Sequence, residues 1–246
     1  GLGNFAYRGE TDPRKTPLSI ALGYGEDVLR IVGLKHVKIQ DIVLRGATGS
    51  PMINLYGVDN VELDGLTVYG GWPGLLVDAC ANVKVTNSAF RSLAAPWSSR
   101  AHMKYRGTPT YVIISRNSIP ENRDFEIANC EFTDGHDFAW FRYINNLKFH
   151  NNSVDNFDDD GVEVGAKKRS HSIYIYENRL SRCNMTFVAH EMGKDESPAD
   201  VDPKSGVYIY RNVIDLRDGI YSSPGKEADP TGRFLRSDAR LCSDHG

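Results

Sequence analysis

The sequence predicts an all-β solenoid, in which short strands coil and stack, and three observations carry that expectation. First, a nine-residue pattern recurs along the chain: apolar, any residue, apolar, then another apolar side chain five positions on. Its copies are Val37/Ile39 with Leu44, Val61/Leu63 with Val68, Val83/Val85 with Phe90, Phe125/Ile127 with Phe132, Leu147/Phe149 with Val154, Ile173/Ile175 with Leu180, and Val207/Ile209 with Ile214. Second, clean copies lie about 22 to 26 residues apart, and larger gaps mark insertions. Third, another pair of inward positions precedes each copy, normally by about eight residues. These pairs are Ile53/Leu55, Leu75/Val77 and Ala139/Phe141, and with longer connections Val112/Ile114, Val162/Val164 and Phe187/Ala189. Helical periodicity is absent almost everywhere. Strands this short cannot bury an apolar face alone, whereas stacking on neighbouring coils buries it continuously. A β-sandwich would instead call for Asn-Gly hairpins and no fixed register between copies.

Taken in order, the first 27 residues show no amphipathic capping helix, and the coils run from about residue 28 to 223. Asn87, Asn129 and Asn151 recur at one turn position, which predicts a stacked amide ladder there. Insertions at about 94–110 and 191–205 interrupt the repeat, and loops on one side of a solenoid commonly wall a binding face. Residues 224–246 lose the pattern and read as an irregular tail or a join. The whole, 1–246, is expected to be one domain. Because open solenoid ends expose unpaired strand edges, a further chain segment or a second copy is the expected cap.

Composition narrows the functional classes. The 246 residues carry 29 basic and 32 acidic side chains, a net charge of −3, so no basic excess points to nucleic acid. No apolar run approaches the roughly 18 residues of a membrane span. The four cysteines, Cys80, Cys130, Cys183 and Cys242, show no CxxC pairing, and buried free thiols are the expectation.

The densest chemistry lies in residues 157–168, FDDDGVEVGAKK. Val162 and Val164 alternate with Glu163, which reads as a short strand with Glu163 projecting to solvent after a triple-aspartate turn. Adjacent carboxylates repel, so Asp158, Asp159 and Asp160 call for a cation, a hydrogen-bond cage or a shared proton. With the inward positions fixed, the outward residues stack as Asn54, Leu76, Ile113, Trp140, Glu163, Val188 and as Tyr56, Asp78, Ser115, Arg142, Gly165, His190. Asp137 precedes one of these strands, and Lys167, Lys168 and Arg169 follow another. Neighbouring strands are about 4.8 Å apart, so Asp137 to His190 would share one sugar-sized patch.

The repeat resembles the right-handed parallel β-helix of the pectate-lyase-like superfamily. The patch is similar to the chondroitinase B and alginate lyase family, in which metal-binding acids precede a lysine base, with an arginine near a histidine one coil later. That resemblance implies Asp158, Asp159, Asp160 and Glu163 as calcium ligands and Lys168 and His190 as bases. Ala189-His190 falls where the family has Arg-His, which leaves Arg142, one coil before Glu163, as the candidate for a substrate uronate. Asp137 with Asp158 and Asp159 also resembles the triad of polygalacturonase-like hydrolases, whose separated carboxylates permit inverting hydrolysis. A non-catalytic adhesive face is the third reading, with Trp140, Phe138 and Tyr111 as platforms for sugar rings. The expectation is an extracellular or periplasmic protein acting on an acidic polysaccharide, a lyase before a hydrolase.

Overall fold

The computed structural model describes residues 18–20, 28–46, 51–71, 73–91, 112–114, 121–135, 137–165, 171–190, 206–217 and 233–237. Their strands form three parallel ladders, one for each side of the coil. The first ladder stacks Leu29–Val32, Ile53–Tyr56, Leu75–Asp78, Val112–Ile114 and Ala139–Arg142. The second is a seven-stranded sheet running from Lys35–Gln40 through Asp59–Asp64, Ala81–Thr86, Asn122–Ala128, Ile144–His150 and His171–Tyr176 to Val207–Tyr210. The third stacks short strands such as Thr67–Tyr69, Ala89–Arg91 and Glu131–Gly135. Two long strands, Ser153–Gly165 and Arg179–His190, run unbroken from the third ladder into the first and fuse them into one fourteen-stranded sheet. Among the described residues there is no helix.

The register follows the apolar repeat. Ile53, Leu75, Val112, Ala139, Val162 and Phe187 are Cα partners in turn along the first ladder. Val37, Val61, Val83, Phe125, Leu147, Ile173 and Val207 do the same along the second. The third apolar member of each copy, Leu44 to Ile214, belongs to the third ladder. The nine-residue pattern is therefore one corner of the coil with a strand on each side. Where the side chains of these rows are described, period-two alternation turns them inward, and they form or pack against one continuous core. Phe90, Phe132, Phe138, Phe141, Phe149, Phe157 and Phe187 fill its middle. Cys80, Cys130 and Cys183 are buried free thiols in the same interior.

The corners depend on left-handed backbone. At the corner between the second and third ladders, Gly65, Asn87, Asn129, Asn151, Glu177 and Arg211 all adopt positive φ. Such a residue turns the chain and points its own side chain outward, so the next residue enters the core. The amide ladder consequently stands one position later than the sequence predicts. Asn152 Nδ2 donates to Asn178 Oδ1 at 3.1 Å, and Asn178 Nδ2 donates to Asn212 Oδ1 at 2.9 Å. Each also donates to a carbonyl of the preceding coil, Ile127 for Asn152 and Phe149 for Asn178. Buried corner backbone is thereby satisfied.

Three further expectations change. Asp158, Asp159 and Asp160 lie inside the continuous strand Ser153–Gly165, not in a turn, and a register shift marks a bulge between Phe157 and Asp160. The bulge inserts one extra residue at the point where the chain passes from the third ladder to the first. The residues after 224 are not wholly irregular, since Arg233–Ser237 pairs with Arg179–His190. Leu18–Ile20 pairs antiparallel with Leu29–Ile31 and covers the N-terminal edge of the first ladder. The two insertions at 94–110 and 191–205 lie outside the described residues.

Candidate functional site

On the outward side of the first ladder, Trp140 is the register partner of Glu163, and Arg142 is the partner of Gly165. Outward positions on a solenoid ordinarily meet water. Glu163 does not, being 5% exposed, so the expectation that it projects to solvent is corrected. Arg142 Nη2 stands 2.5 Å from Glu163 Oε2, one coil apart. The guanidinium carbon lies 5.3 Å from the centroid of the Trp140 ring, so the same arginine stacks on the indole. A carboxylate withdrawn from water needs such a partner, because an unpaired buried charge is strongly destabilising.

Two donors in this cluster are left over. Trp140 Nε1 and Arg142 Nε are both buried and have no hydrogen-bond acceptor among the described residues. An unmade bond of this kind costs about 1–3 kcal/mol, so an oxygen from a ligand or an ordered water would be stabilised there, and Arg30 Nε and Arg91 Nε, away from this cluster, share the condition. Asp137, just before the same strand, is buried, as is Asp78 two coils earlier. Tyr56 remains exposed in the same outward row.

The other sequence-predicted residues divide clearly. Phe138 is fully buried, its ring 4.6 Å from that of Phe132 and 5.3 Å from that of Phe149. It belongs to the core and cannot present a face to a sugar ring. The backbone of His190 is in register with Gly165, hence two coils from Arg142, and that of Asp160 with Met185. The side chains of His190, Asp158, Asp159 and Asp160, like all of Lys168 and Tyr111, lie outside what is described. Among the described residues, no three His, Cys, Asp or Glu side chains gather as a cation site. Glu163 itself does not fit a calcium ligand here, because a guanidinium already occupies its Oε2 and would repel a second cation.

Two aromatic columns on the second ladder escaped the sequence reading. Tyr174 stacks on Tyr208 with centroids 4.9 Å apart, and Tyr176 lies between His150 at 4.8 Å and Tyr210 at 5.1 Å. Stacking the outward residues of this ladder as well as those of the first would have found them. An alternating charge column precedes them, with Lys38 paired to Glu62 and Lys84 to Glu126.

The family described as "Right handed beta helix region" matches residues 51–226, well over half of the chain. No curated protein and no solved structure matches it.

Proposed function

We propose that this chain, which belongs to the right-handed β-helix family, is an extracellular or periplasmic protein that acts on an acidic polysaccharide by β-elimination. The observation that supports this reading is the Arg142–Glu163 pair on Trp140, with the indole N–H and the arginine Nε–H both lacking acceptors among the described residues. Glu163 and the indole fix the guanidinium plane, so its remaining donors are pre-organised for a uronate carboxylate. In the elimination a base removes the C5 proton, the C4–oxygen bond breaks, and a C4=C5 double bond forms. The charge that develops at C5 spreads into the uronate carboxylate, where a fixed cation stabilises it. Arg142 supplies that cation, and His190 and Lys168 are the proposed bases. Asp137 is the proposed acid for the leaving oxygen. A calcium ion on Asp158, Asp159 and Asp160 remains part of the proposal, and no step above depends on it; chelation tests it.

A binding module is the second reading, because the Arg142–Glu163 pair on Trp140 offers an ionic and aromatic surface that can hold a sugar without any proton transfer. The test is turnover of uronate oligosaccharides, followed by absorbance of the unsaturated product near 235 nm. Native protein should produce it, and Arg142→Ala should not. Reducing ends without that absorbance would transfer the reading to hydrolysis, and binding without either product would establish the module.

A further inference from the structure

A second polar groove lies away from this face, on the corner between the second and third ladders and on the outer side of the third. Two adjoining cavities of about 880 Å³ and 470 Å³ share Glu131, Ser153 and Arg179 in their walls. Both volumes fall in the range of ligand clefts. The shared residues are consecutive register partners in one outward column, Glu131 to Ser153 to Arg179, which continues to Val213. Short side chains at Ser153 and Val213 flank Arg179, and this leaves the trough open on both sides of the guanidinium.

The charges of the trough are mostly matched within the protein. Glu131 accepts from Arg91 at 2.8 Å. Asp155 accepts from Arg182 through both its oxygens and from Ser181 Oγ at 2.7 Å. Asp215 takes both arms of Arg217, at 2.8 and 2.6 Å. Burial works against the Asp155 charge, but the Arg182 and Ser181 hydrogen bonds outweigh it, and its carboxyl is held below the usual range. The Arg217 hydrogen bonds hold Asp215 well below it too. Among the described residues, the side chain of Arg179 makes no hydrogen bond and no ion pair. With every carboxylate of the trough hydrogen-bonded or ion-paired to another arginine, the exposed fork of Arg179, whose charge also reaches Asp155 and Asp215, is left without a hydrogen-bonded acceptor among the described residues, beside serine and threonine hydroxyls and the corner asparagines.

We propose that this groove is a second glycan-binding subsite, in which Arg179 takes a carboxylate or sulfate of an acidic polysaccharide while the first-ladder face holds another part of the chain. The inference deepens the acidic-polysaccharide reading, and it stands if that reading's reaction fails, since it concerns binding alone. It is tested by affinity electrophoresis of the full chain at fixed salt in gels of polygalacturonate, chondroitin sulfate or neutral dextran. Arg179→Ala should weaken retention by a polyanion about tenfold, the value of one charge-assisted bidentate contact. Lys148→Ala removes an equal charge from the exposed second ladder and should leave retention nearly unchanged. Dependence on Arg179 in polygalacturonate assigns the carboxylate, and dependence only in chondroitin sulfate assigns the sulfate. Turnover of the shortest cleavable oligosaccharide should survive Arg179→Ala and fail in Arg142→Ala. If no turnover is found but polyanion retention still depends on Arg179, the elimination reading falls and the subsite stands. Equal retention of Arg179→Ala and native protein, equal weakening by both substitutions, or no retention of native protein by either polyanion overturns the proposal.

Discussion

Arg142 reaches one coil along the solenoid to Glu163, 21 residues later in the chain, and closes a 2.5 Å contact on the outward side of the first ladder. Glu163 is almost fully withdrawn from water there, with its side chain 7% exposed against 26% for Arg142. Removing the arginine alone leaves a buried carboxylate without its cation, at a cost of about 3 kcal/mol. Replacing both by leucine removes the charge and its desolvation together. Urea unfolding should therefore show Arg142→Leu/Glu163→Leu to be more stable than Arg142→Leu alone. Additive losses would mean that the pair is only superficially coupled.

Trp140 and Phe138 are two residues apart and should fail in different ways. Phe138 sits among Phe132, Phe141, Phe149 and Phe157, so Phe138→Ala should cost about 3–5 kcal/mol. Its folded fraction should bind glycan as native protein does. Trp140→Ala removes a half-buried ring that stacks on Arg142, and it should lose glycan binding at a smaller cost in stability. The two variants are distinguished by titrating each with a uronate oligosaccharide below its melting temperature.

The contrast between these residues marks what the sequence made legible. Wherever side chains alternate with period two, counting from an inward valine or isoleucine placed every neighbour on its side of the wall. Glu163, Trp140 and Arg142 were located in that way. Counting failed at the corners, where one left-handed residue resets the alternation. Asn152, Asn178 and Asn212 were missed for Asn87, Asn129 and Asn151 on that account, and Phe138 was read as outward although it and Ala139 are both buried. Burial of an outward side chain was equally illegible, because it depends on what lies over the ladder, not on the ladder's period. Opposite charges on Arg142 and Glu163 were visible, but the loss of water around them was not.

Asp155 gives the fold a pH dependence with a definite sign. Burial raises its carboxyl, the hydrogen bonds from Arg182 and Ser181 lower it, and the net shift is downward. A depressed folded value means that the carboxylate contributes stability above its unfolded value of about 3.9, and loses it as pH falls through the folded one. The contribution is about 1 kcal/mol, since Arg182 is largely exposed to solvent. Asp155→Asn should melt below native protein at pH 7, and the two should converge once the pH falls below the folded value of the carboxyl. A gap that stays constant down to that pH would assign the effect to lost packing and not to charge.

Asn178 stands at the middle of the interior amide column, and its removal should be felt on both sides. Its Oδ1 accepts from the backbone N–H of Asn152 at 3.0 Å and from Asn152 Nδ2 at 3.1 Å, while its Nδ2 reaches the Phe149 carbonyl at 3.1 Å. Alanine there strands a buried N–H and a buried C=O, each worth about 1–3 kcal/mol when unsatisfied. A loss of about 3 kcal/mol in urea unfolding is expected for Asn178→Ala. Serine should recover part of it, because Ser88 already fills the equivalent corner three coils earlier, where its Oγ accepts from the Leu66 N–H at 3.0 Å and donates to the Thr86 carbonyl at 2.7 Å. That hydroxyl satisfies the corner N–H but makes no amide contact with the next coil, so Asn178→Ser should fall between native protein and Asn178→Ala. If alanine costs less than about 1 kcal/mol, a single ordinary hydrogen bond's worth, the amide column merely fills the corner and does not hold successive coils together.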